Sequence, residues 1–189
     1  VLAPTAGGKT EASIFPVLSR ILSERPEPVA ALYVCPIRAL LNNQEQRLQR
    51  YTRMVGLDAF KWHGDVSDSK RGRFRREPCH LLMTTPESIE VMLVSARTDA
   101  RALFKGLGTV IIDEVHAVAG TKRGAHLALS MERLDALLTQ PAQRIGLSAT
   151  VRPPEEVARF LTPRPVRIVN PPAAKTFELS VQVPVPDMA

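Results

Sequence analysis

The sequence predicts an α/β domain: a mostly parallel sheet with helices on both faces. Three observations point there. Short apolar runs without alternation recur along the chain, as strands buried on both faces require. Longer segments with helical periodicity separate them. Loops rich in Gly, Thr, Asp and Glu follow directly after several of the runs, where the ligand-binding edge of a parallel sheet would lie.

Taken in order, Val1 and Leu2 look like the stump of a strand. A helix is predicted over residues 11–22, where Ile14, Val17, Leu18, Ile21 and Leu22 keep the period on both sides of Pro16. Residues 30–35 form the next strand, and residues 38–55 a helix. Further strands follow at 59–62, 81–84, 109–112 and 144–147. Leu127, Met131, Leu134 and Leu138 mark one face of the helix before the last of these. After Pro153 the texture changes, since 8 of the 16 prolines fall in the last 37 residues. Strand-like pieces lie at 166–169 and 179–183. Residues 1–152 are therefore expected to form one domain, and 153–189 its end and a connector. With Val1 already leading into a motif, the chain reads as a piece of a longer protein.

Composition narrows the function. The 189 residues suit one domain of good size. A net charge of +6 suits a polyanionic partner without requiring one. Aromatic residues are only 5%, which argues against a stacking platform for bases. No apolar run approaches the roughly 18 residues of a membrane span, so a cytoplasmic protein without a membrane partner is expected. Cys35 and Cys79 lie in apolar stretches without metal-ligand spacing and read as buried thiols.

Two segments carry chemistry. Ala3-Pro4-Thr5-Ala6-Gly7-Gly8-Lys9-Thr10 follows the strand stump and opens a helix, the setting of a phosphate-binding loop, although Ala3 stands where the usual first glycine would be. Its glycines let backbone N–H groups close around phosphates, and the helix N-terminus adds a favourable dipole. Lys9 would neutralise the β and γ phosphates, and the Thr10 hydroxyl would ligate Mg²⁺. The second is Val110-Ile111-Ile112-Asp113-Glu114-Val115-His116, two carboxylates directly after a buried strand. Asp113 can hold the metal through water and Glu114 can activate the attacking water, while the bland alternative is a helix cap.

Asp113-Glu114-Val115-His116 resembles the DExH box of superfamily 2 helicases, and residues 3–10 resemble their motif I. Cys35-Pro36-Ile37-Arg38-Ala39-Leu40 is similar to motif Ia, Thr84-Thr85-Pro86-Glu87-Ser88 to motif Ib, and Ser148-Ala149-Thr150 to motif III. The Thr-Pro-Glu-Ser form, with Gly120-Thr121-Lys122-Arg123-Gly124-Ala125-His126-Leu127, is most similar to the Lhr (large helicase-related) family.

The resemblance implies the first RecA-like domain of an ATP-dependent helicase, with ATP and Mg²⁺ as cofactors and Lys9, Asp113 and Glu114 as catalytic residues. Motifs Ia and Ib place Pro36, Arg38, Thr85, Pro86, Glu87 and Ser88 on the phosphates of single-stranded nucleic acid. The family favours DNA and 3′-to-5′ movement. His116, Ser148, Ala149 and Thr150 would couple nucleotide state to grip. A second RecA-like domain with an arginine finger would complete the enzyme, so the chain alone is expected to be feeble or inactive. Two alternatives stay open, a translocase that does not unwind and a nucleotide-dependent binding module without catalysis. Trp62 reads as a core residue, and the cluster Lys70, Arg71, Arg73, Arg75 and Arg76 as a solvated helix face. His80 and His126 carry no assigned chemistry.

Overall fold

The computed structural model describes residues 1–3, 7–149 and 151–171. Helix α1 (Lys9–Glu24) leads into β1 (Ala31–Val34), α2 (Arg38–Met54), β2 (Ala59–Trp62), α3 (Asp68–Arg76) and β3 (Leu81–Thr84). Then come α4 (Pro86–Val94), the single turn α5 (Ala100–Leu103), β4 (Thr109–Ile112), a 3-10 turn at Val115–Ala117, α6 (Lys122–Asp135), β5 (Gln143–Gly146) and α7 (Pro154–Leu161). All five strands are parallel, in the order β2-β3-β1-β4-β5. Leu2 forms a parallel bridge with Ser148 just beyond β5, so the stump lies against the sheet there.

The period-2 geometry of the strands splits the core into two layers. Ala31 and Tyr33 of β1 pack with Ile14, Val17 and Leu18 of α1 and Leu41 and Leu48 of α2. Leu32 and Val34 face the other way, onto Phe74 of α3, Ile89 and Met92 of α4, and Leu127, Met131 and Leu134 of α6. α1 is continuous through Pro16. Both Pro16 and Ala12, whose carbonyl loses its partner there, are exposed, so the interrupted bond is on the wet side.

Three expectations need adjustment. β5 begins one residue earlier than predicted, and Leu138 lies past the end of α6. Residues 166–169 form no strand. Val169 accepts a bond from the Leu2 amide (2.8 Å), outside any strand ladder among the described residues. Residues 179–183 lie outside the described residues. No helix among the described residues is long and apolar enough to cross a membrane.

The basic cluster also divides. Arg71 and Arg75, one turn apart on α3, lie over the ring of buried Trp62 at 5.6 and 5.2 Å. Arg71 also donates to the His63 carbonyl at 3.0 Å. These two arginines seal a core aromatic, and only Lys70, Arg73 and Arg76 face solvent as predicted.

Candidate nucleotide and nucleic-acid site

Because every strand runs the same way, the loops that follow them emerge along one edge. Along it lie the Gly64–Asp65 turn after β2, Thr85 after β3, Pro36 after β1, Asp113 and Glu114 after β4, and Ser148 after β5. The phosphate-loop stump is next to Ser148, with bonds from the Ser148 amide to the Val1 carbonyl (3.1 Å) and from the Ala3 amide to the Ser148 carbonyl (3.3 Å). β4 therefore sets the acidic pair between the Leu2–Ala3 stump and Ser148 on one side and Pro36 and Thr85 on the other.

Gly8 caps α1 in the left-handed region (φ 73°), and a Cβ there would meet nothing, so the requirement for glycine is conformational. Among the described residues, no side chain caps this helix. Lys9 is almost buried and donates from Nζ to the Ala3 carbonyl at 2.7 Å. Thr5 and Ala6 lie outside the described residues.

Asp113 is 3% exposed. Burial pushes its carboxyl above the ordinary value, Tyr33 draws it back, and Glu114 beside it pushes up again. Its Oδ2 accepts the Tyr33 hydroxyl at 2.7 Å and its Oδ1 accepts the Glu114 amide at 3.0 Å. Burial, with the Asp113 carboxylate next to it, holds the Tyr33 phenol well above its usual range, and Thr10 on the same oxygen pulls slightly the other way. Tyr33 thus stands between Thr10 and Asp113, a role that no spacing in the sequence announced. The helix-cap alternative for the acidic pair is not what the structure contains: α6 is capped instead by Thr121, whose Oγ1 accepts the Gly124 amide at 3.0 Å.

Glu114 adopts φ 43°, ψ 45°, an uncommon conformation for a residue with a Cβ. It brings the carboxylate within 3.4 Å of His116 Nδ1, and that nitrogen is 3.0 Å from Ser148 Oγ. Glu114, His116 and Ser148 are therefore joined. Ala149 follows in a half-buried bend, and Thr150 lies outside the described residues.

On the other side, Arg38 is exposed and donates from one nitrogen to both oxygens of Asp65 at 3.0 Å. Thr85 precedes Pro86 at the start of α4, yet its side chain does not cap the helix. Its hydroxyl lies 3.0 Å from that of Ser88 instead. α2, which starts after Ile37, also lacks a side-chain cap. Pro36 and Glu87 share one partner, Arg123, with Nη2 donating to the Pro36 carbonyl and Nε to the Glu87 carboxylate, both at 2.7 Å. Asp65 belongs to the 62–65 segment that the sequence places at a strand end near the nucleic acid, whereas Arg123 had no individual role in the sequence.

The parallel order and the concentration of polar side chains at one edge define a RecA-like nucleotide-binding domain. A DEAD-box helicase structure, Mss116, shares this fold at 17% identity, with a TM-score of 0.74 over 84% of this chain and 33% of that one. The chain belongs to the DEAD/DEAH box helicase family, whose profile matches residues 1–159. It is 52% identical to the Lhr helicase/probable uracil glycosylase of Mycolicibacterium smegmatis and 45% identical to the Lhr helicase/uracil glycosylase of Escherichia coli. All of this chain aligns in both cases, but it spans only 13% and 14% of those proteins. The solved Mycobacterium smegmatis helicase Lhr, bound to ssDNA and AMP-PNP, is similar over all of this chain and 25% of that one, at 50% identity and a TM-score of 0.80.

Proposed function

We propose that this chain is the ATP-binding and nucleic-acid-binding half of an ATP-dependent DExH-box helicase that moves along single-stranded DNA and unwinds duplex. The observation that carries the reading is the joined edge: Lys9 at a glycine-capped helix start, Asp113 and Glu114 at the end of β4, and His116 bonded to Ser148. The crystallised relative supports single-stranded DNA and an adenine nucleotide as the ligands.

The donor set fits Mg²⁺. Thr10 and Asp113 are hard oxygen ligands, and no cluster of three or more acidic, His or Cys residues exists among the described residues. Mg²⁺ suits such a site because it keeps waters and takes one or two protein oxygens beside phosphates. When bound, it would neutralise developing charge on the phosphates. Lys9 would lie against the β and γ phosphates, and the N–H groups of the first turn of α1 would receive their oxygens. Glu114 would orient and deprotonate the attacking water. His116 would sense the Glu114 side and pass its position to Ser148. Arg38, Pro36, Thr85, Pro86, Glu87 and Ser88 would form the surface for the DNA backbone, reading no sequence. A second RecA-like domain in the same protein would close the site and supply the arginine that stabilises the transition state.

Glu114→Gln in the full-length protein tests this. Nucleotide and single-stranded DNA should still bind, while hydrolysis falls at least about a hundredfold. Near-normal turnover would overturn the assignment of the general base.

A further inference from the structure

We propose that Arg123 is a positioning residue for the nucleic-acid surface: it fixes the Pro36 and Glu87 segments relative to each other and to the loop that leaves the acidic pair. The inference rests on the DNA-surface reading above. Pro36 follows β1 and Glu87 is the second residue of α4, which follows β3. These strands are neighbours, but among the described residues no side chain caps either of the helices that begin there. One guanidinium bridges the gap, with a second Arg123–Glu87 approach of 2.6 Å from Nη2. A planar fork can serve two acceptors in different directions at once, which a lysine ammonium on its flexible stem does far less well.

The base of this fork is fixed. Thr121 donates to the Val118 carbonyl at 2.7 Å while capping α6, and Gly124 is pressed so close that a Cβ would lie 2.0 Å from the same oxygen. Val118 is buried directly after the 3-10 turn that follows Asp113 and Glu114. Arg123 is therefore mounted on the segment leaving the acidic pair and holds both DNA-facing segments with its tip. Its side chain is 49% exposed and that of Glu87 is 56% exposed, so the pair adds little to stability. The contact matters for geometry.

The test uses the full-length protein and a labelled single-stranded DNA oligonucleotide titrated at several salt concentrations. Arg123→Lys keeps the charge and should still weaken binding roughly three- to thirtyfold, with the log–log salt slope unchanged. Glu87→Ala removes a negative charge facing a polyanion, so bulk electrostatics predicts tighter binding, whereas loss of the Arg123 anchor predicts weaker binding. Melting temperatures of both variants report that they are folded. Parental affinity in Arg123→Lys, or tighter binding by Glu87→Ala, overturns the proposal. A slope reduced by about 0.7 in Arg123→Ala would also overturn it, because Arg123 would then contact a phosphate directly. Arg38→Ala separates the two levels. Loss there with none in Arg123→Lys rejects the positioning role alone, and no loss in either rejects the DNA surface itself.

Discussion

Replacing Tyr33 with Phe removes one oxygen and leaves the packing of a fully buried ring intact. What is lost is the 2.7 Å bond to Asp113 Oδ2, on a carboxylate that is itself 3% exposed. A hydrogen bond to a charged group contributes about 1.5–3 kcal/mol, and at about 2–4 °C per kcal/mol for a chain of this size the melting temperature should fall by about 3–12 °C. The pH dependence follows from Asp113. Burial already raises its carboxyl above the ordinary 3.8, and the Tyr33 hydroxyl is what draws it back, so Tyr33→Phe raises it further. A carboxyl whose folded value exceeds its unfolded value costs stability at pH above the folded value. That cost is relieved as pH falls through the folded value toward the unfolded one. The deficit of the variant should therefore be greatest near neutrality and shrink on acidification. Thermal unfolding followed by circular dichroism between pH 4 and about pH 8 measures it, across the range in which such carboxyls titrate. An unchanged melting temperature at neutral pH, or a deficit that grows on acidification, would refute the reasoning.

Lys9→Ala should weaken binding of Mg-nucleotide by about 1.5–3 kcal/mol, roughly tenfold to a hundredfold, since a nearly buried cation is withdrawn from the phosphates. Isothermal calorimetry showing unchanged affinity would remove the phosphate-loop assignment. Gly124→Ala should lower stability by about 1–3 kcal/mol, although alanine is the better helix former. The new methyl would meet the Val118 carbonyl and the Phe160 ring, at 2.0 and 3.1 Å, and the carbonyl belongs to the backbone. A melting temperature equal to or above the parent's would show that the α6 start can move.

The interior strands β1, β3 and β4 were legible because each is a block of residues buried on both faces, and the predicted ranges 59–62, 81–84 and 109–112 match residue for residue. β5 was placed one position late because exposed, polar Gln143 starts it, where burial no longer marks a strand. The acidic pair and the glycine-capped helix were legible because their chemistry depends on neighbouring residues. The Tyr33–Asp113 bond spans 80 positions and the Arg123–Pro36 bond 87, so no local pattern encodes either. The cluster around residues 70–76 was misjudged in part for the same reason. Its helical spacing was visible, but the buried Trp62 under two of its arginines was not.

Glu114 sits in a conformation that costs a residue with a Cβ of order 1–3 kcal/mol and costs glycine almost nothing. A glycine at this position would relax the backbone and give a more robust fold without the carboxylate that we propose as the general base. Stability and turnover therefore pull the same residue in opposite directions. Under the proposed role of that carboxylate, sequence changes selected only for thermal resistance would tend to erode the chemistry here first.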